Sequence, residues 1–165
     1  MHDWSCSTPR FGRTVEGREE MYGYVLQAHG AWRWVVIFSG IAAVVAAVRR
    51  TRDSGAGLSS WPYGKVFSTC LDIQVLMGAA LFLLLSPLTS VGLPAAAQQS
   101  WEIRFFSQYH GAAMVAAFLL VHIASPVIRR AKTERSRHAR AAVAYAIVLL
   151  IVLGATPWWR PLLRI

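Results

Sequence analysis

Four long apolar runs, at 24–48, 66–85, 105–128 and 141–157, alternate along this chain with clusters of arginine, proline and glycine. Each approaches the roughly 20 residues a helix needs to cross a hydrocarbon layer, where a helix satisfies its own backbone groups. The pattern predicts an all-α, integral membrane four-helix bundle over residues 23–160, preceded by an N-terminal tail, 1–22, of scattered charges. That tail has no apolar stretch of the kind a cleaved secretory signal carries, so insertion is expected to rely on the first spanning helix. Between the second and third runs, Pro87, Gly92 and Pro94 mark a loop, and 95–104 is expected to form a short interfacial helix anchored by Trp101.

Composition agrees with this reading: 55% of the 165 residues are hydrophobic, too many for an ordinary soluble domain of that length. The net charge of +9 invites a nucleic-acid reading, but the basic residues bracket the apolar runs, which argues against nucleic acid and for the lipid bilayer as the partner. Arg49, Arg50, Arg52, Lys65, Arg129, Arg130, Lys132, Arg135, Arg137 and Arg140 fall in the first and third connections, against Asp53 and Glu134. The opposite side is close to neutral. By the positive-inside rule both termini are expected on the non-cytoplasmic side of a bacterial inner membrane, crossed four times.

Small residues crowd the runs, among them Gly40, Ala42 and Ala43, then Gly78, Ala79 and Ala80, then Gly111, Ala112 and Ala113. They permit close helix approach and equally leave room for a flat macrocycle. Cys6 and Cys70 are not expected to meet, and no C-x-x-C-H run exists for covalent haem attachment. Nor is there a Gly-rich phosphate loop, a zinc-spaced His/Cys cluster or a pair of carboxylates within the membrane, so no catalysis is assigned.

Four ionisable residues, His29, Asp72, His110 and His122, are expected to lie buried within the spans, with Arg33 one turn from His29. Such groups at membrane depth are usually partnered or functional. His29 lies 20 residues before Arg49 and His110 19 before Arg129, on runs that cross in the same direction. At about 1.5 Å of rise per residue both imidazoles are within one helical turn of the same level. Two neutral imidazoles facing each other there can hold a haem iron from both sides, with Arg33 placed to meet a propionate. Simple hydrogen bonding of each histidine to a facing helix is the alternative.

Asp72, seven residues after Lys65, and His122, seven before Arg129, share a second level. On the third helix His110 and His122 differ by about 18 Å of rise and roughly 120° of rotation, so they point to different neighbours. A structural ion pair, a proton relay and a quinone contact are open for Asp72 and His122. Gln108 and Tyr109 stand just before His110 and can line the mouth of its site, Met114 and Met77 suit core packing, and Gln74 is given little weight. Trp32 and Trp34 are read as packing or cofactor-facing, His138 as a solvated loop residue, and His2 as part of the tail.

The run His29-Gly30-Ala31-Trp32-Arg33-Trp34, the segment from Asp72 through Gln74 to Gly78, the run from His110 to Met114 and the triplet Val121-His122-Ile123 together resemble a small bacterial four-helix family described as cytochrome-b-like. The resemblance spans about 100 residues, 24–128, and rests on His29, Arg33, Trp34, Gln74, Gly78, His110 and His122. Asp72 departs from it, standing where the family pattern has histidine. The resemblance implies haem binding and names no reaction, and the departure argues against a second haem at the level of Asp72.

Three function classes follow. One is an electron-transfer subunit holding one haem b between His29 and His110 and exchanging electrons with quinone or another partner. Another is a non-redox accessory subunit of a larger respiratory or photosynthetic membrane complex. The third is a small enzyme or transporter that moves protons through Asp72 and His122.

Overall fold

The apolar runs become four helices in a computed structural model that describes residues 10–52, 62–85 and 100–160. They are α1 (Arg10–Arg52), α2 (Pro62–Leu85), α3 (Trp101–Arg129) and α4 (Glu134–Gly154). All four are long and apolar enough to cross a membrane, and no strand occurs among the described residues. The chain is therefore an all-helical, multi-pass membrane protein.

Helix ends follow local chemistry. Pro62 opens α2 at a position where its missing N–H costs nothing. Thr133 caps α4, its Oγ1 accepting from the Ser136 amide at 3.2 Å, and Glu134 supplies the acidic first turn. Near the end of α3, Pro126 cannot donate to the carbonyl of His122 one turn earlier. Arg140 reaches across from α4 to bond the Val127 carbonyl at 3.1 Å, supplying a donor where the α3 ladder runs out.

Two regions differ from the sequence reading. Helix α1 is continuous from Arg10, so most of the predicted tail is helical, while residues 1–9, with His2 and Cys6, lie outside the described residues. Of the expected interfacial helix at 95–104, the described part, Trp101–Arg104, is helical and forms the first turn of α3 itself. Residues 95–99, with Pro87, Gly92 and Pro94 before them, also lie outside the described residues.

In the bundle, α1 packs most extensively against α4 and α2, and α3 against α4. The α2–α3 seam is sparser, and α1 and α3 face each other across the diagonal instead of packing along their length. Val36, Phe67, Leu71, Val121 and Val148 are fully enclosed in a core drawn from all four helices. Gly40 makes the closest approach: a Cβ there would lie 2.8 Å from the Phe67 ring and 3.0 Å from Leu149. Phe67 in turn meets Tyr145 of α4 edge to face at 5.9 Å. The Trp32 indole donates to the Cys70 carbonyl at 3.0 Å, tying α1 to α2 in the role of a packing residue.

Two stretches wind as π-helix, Leu81–Leu85 at the end of α2 and Phe105–His110 in α3. A π-turn closes i→i+5 hydrogen bonds, so residues five apart come onto one face, and such turns often mark functional positions. The second π-turn ends on His110.

Candidate functional site

His29 and His110 meet across the bundle diagonal, at the end where Trp101, Trp158 and Trp159 gather. Their ring centroids are 6.2 Å apart and their planes stand 74° to one another. Equal depth, counted from the arginine anchors, is therefore matched by close approach of the two rings.

The His110 ring is held by the end of a neighbouring helix. Helix α4 stops at Gly154, which leaves its last carbonyls without intrahelical donors. The Ala155 amide bonds Ile151, Thr156 Oγ1 bonds Val152 at 2.8 Å, and Trp158 Nε1 bonds Leu153 at 2.9 Å. His110 Nδ1 donates to the carbonyl of Ala155 at 2.8 Å. With its proton on Nδ1, the imidazole keeps the Nε2 lone pair for another partner, the arrangement by which a backbone carbonyl orients a metal-binding histidine. The π-turn contributes as well: Phe105, five residues before His110, places its ring 6.0 Å from the imidazole, and Phe106 lies 5.8 Å away.

His29 is held differently. The Gln74 side-chain amide donates both to the His29 carbonyl and to its Nε2, each at 3.2 Å. Gln74 is buried on α2, and the bond assigns the His29 proton to Nδ1, a buried nitrogen with no hydrogen-bond partner. Gly78, one turn along α2, makes room for the ring: a Cβ there would stand 3.1 Å from His29 Cε1. The arginine of this group, Arg33, lies near enough to both imidazoles to act on them electrostatically.

Around the rings the aromatic end closes over. Phe105 meets Trp159 edge to face at 4.7 Å, Trp34 approaches Trp158 at 6.4 Å, and Trp101 lies 5.7 Å from Tyr109. Arg160 sits 4.4 Å over the Phe106 ring and bonds Glu102 at 3.0 Å. Gln108 is exposed beside this cluster, Trp34 packs within it against Phe38, and Met114 lies in the core.

Asp72 and His122 also meet, Oδ1 to Nε2 at 2.9 Å, as their shared depth predicts. They are not buried, however. Their side chains are 32% and 47% exposed, and the pair lies on the outside of the α2–α3 seam. Depth counting fixes height along a helix and leaves the direction around it open, which is why the expected burial is not met. His138 is corrected in the opposite sense: it belongs to the second turn of α4, lies 3.7 Å from Glu134, and its side chain is only 13% exposed, so it is no solvated loop residue.

Gln74 is the site residue that sequence reasoning undervalued. The available signal was its place in the resemblance and its spacing of one turn from Gly78, which puts both on the α2 face that meets His29. The Ala155 carbonyl had no signal at all. No group of three or more His, Cys, Asp or Glu side chains able to hold a metal ion occurs among the described residues. No protein-family model matches the chain, and neither the curated proteins nor the solved structures contain a match.

Proposed function

We propose that this chain is a membrane-embedded, b-type cytochrome-like electron-transfer subunit whose His29 and His110 hold one haem b. The observation that carries the reading is the opposition of the two rings, 6.2 Å between centroids. Two imidazoles this close, from helices that do not otherwise pack along each other, are the donor set that would hold a haem iron between them. The bond from His110 Nδ1 to the Ala155 carbonyl supports it further, because it leaves Nε2 available.

In this reading His29 and His110 would hold the haem iron and Arg33 would pair with a propionate. The haem, when bound, would supply one-electron transfer. Phe105, Phe106 and Trp159 exclude water from the side of His110. Gln74 must release the Nε2 of His29 for ligation through that atom, remaining bonded to the His29 carbonyl. A lipid-soluble quinone or a larger respiratory or photosynthetic complex is the class of electron partner a carrier of this kind serves.

The second reading, a non-redox accessory subunit, is favoured by that same Gln74 contact, which engages the Nε2 of His29 without any cofactor. A reduced-minus-oxidised spectrum of the purified chain distinguishes the two. A b-type alpha band that is lost in both His29→Ala and His110→Ala supports the carrier. A wild-type protein that shows no band after expression with haem supplied overturns it and leaves the accessory subunit.

A further inference from the structure

The Asp72–His122 pair sits on a surface that is otherwise hydrocarbon. Ile73 and Leu76 of α2 and Val115, Leu119 and Ile123 of α3 are all exposed around it. Phe118 covers one side of the imidazole, its ring 4.5 Å from that of His122. The single 2.9 Å bond uses one carboxylate oxygen and one ring nitrogen. The other oxygen, Oδ2, and the other ring nitrogen, Nδ1, remain for a further partner. Pro126 adds to the polarity at this depth by withholding a helical donor from the His122 carbonyl. Lipid tails can complete none of these bonds, so the chain alone leaves a half-open polar pair in the hydrocarbon.

The arrangement is self-complementary. Asp72 and His122 stand side by side at one depth, on helices that cross in opposite directions. A two-fold axis along the membrane normal therefore brings Asp72 of one copy opposite His122 of another, and the reverse, with both copies inserted the same way up and no shift along the normal. Close approach is available too. Gly111 and Val115 share the face of His122, three turns and two turns before it, Val115 is exposed, and nothing stands within 4 Å of the Cβ position of Gly111.

We propose that the α2–α3 face is the contact surface for a second copy of this chain, in a parallel two-fold dimer where each Asp72–His122 pair completes its hydrogen bonds on the pair of the other copy. The inference is independent of whether His29 and His110 hold a cofactor, since it uses neither.

The test is the mass of the full chain in mild detergent by sedimentation equilibrium, over a hundredfold range of concentration. Wild type is expected as a dimer, twice 18.3 kDa after the detergent contribution is removed. Asp72→Leu and His122→Leu are expected to raise the dissociation constant at least tenfold with helical content unchanged. The exchange variant Asp72→His with His122→Asp preserves the two-fold pattern and is expected to recover the dimer. Mild oxidation of membranes in which a Leu76→Cys copy and a Leu119→Cys copy are co-expressed, each with Cys6 and Cys70 replaced by alanine, is expected to give a disulfide-linked dimer, because the second helix of one copy faces the third helix of the other, whereas Ile41→Cys on the diagonal helix gives none. A wild-type monomer at every concentration overturns the proposal, and so does a dimer unaffected by either leucine variant. Preferential cross-linking through Ile41→Cys, or a stable complex with a different protein or a lipid-soluble ligand in place of the second copy, overturns it equally.

Discussion

His29 and His110 belong to helices that do not pack along each other, yet their rings lie 6.2 Å apart because each is steered by a third helix, His29 by Gln74 of α2 and His110 by the residue that follows α4. The two supports differ in kind, and the difference can be measured. His110→Ala removes the donor to the Ala155 carbonyl, at a cost of about 1–3 kcal/mol. His29→Ala leaves Gln74 its bond to the backbone carbonyl of residue 29 and so forfeits less. Both substitutions delete the same volume. In protein freed of any pigment, thermal unfolding followed by circular dichroism should therefore show the larger drop for His110→Ala; equal drops would mean that the Ala155 bond is worth no more than the one from Gln74 to the His29 ring.

Gly40 and Gly23 are both glycines within α1, and their substitution by alanine should have opposite outcomes. A methyl group at Gly40 would meet Phe67 at 2.8 Å and Leu149 at 3.0 Å, so Gly40→Ala should destabilise the bundle by about 1–3 kcal/mol. At Gly23 nothing lies within 4 Å, so Gly23→Ala should be neutral or stabilising by up to about 1 kcal/mol through helix propensity. Detergent-resistance and thermal melting curves of the two variants check this.

Trp32 packs between α1 and α2 and carries one specific bond, from its indole to the Cys70 carbonyl. Trp32→Phe keeps most of the ring and loses that bond, with an expected loss of about 0.5–1.5 kcal/mol. Trp32→Ala should cost at least twice as much, through the cavity it opens. If the two variants melt together, the ring volume is not what the bundle uses.

Thr133 should act locally. Removing its cap in Thr133→Ala costs about 1 kcal/mol and exposes the first amides of α4. Hydrogen exchange should quicken at 135–138 while the amides around Val148, deep in the core, keep their protection. Faster exchange throughout α4 would show that the cap supports the whole helix.

Much of this was readable from the residues, for physical reasons that can be named. The four spans were legible because a bilayer imposes a minimum apolar length that few other structures need. The heights of His29, His110, Asp72 and His122 were legible because arginines and a lysine near the helix ends act as fixed marks, and both expected pairings are found. Direction around the helix was legible only in part: the roughly 120° between His110 and His122 separated their partners correctly, yet it did not reveal that Asp72 and His122 face outward. The π-turn at Phe105–His110 was hidden, since no residue type in that stretch demands it, and with it the approach of the Phe105 ring to His110. The diagonal placement of α1 and α3 was hidden too, because short connections constrain sequential neighbours and say little about opposite ones.

The acceptor that orients His110 is a main-chain carbonyl, and this makes the orientation robust to mutation in an uncommon way. Exchanging the side chain at position 155 cannot delete that oxygen. Only a change in where α4 terminates could, for a helix prolonged beyond Gly154 would claim the carbonyl for its own ladder and set the imidazole loose. The length of the last helix thus governs the aim of a ring on another, and insertions or deletions near 154–156 should perturb that ring more than most point changes on the same segment.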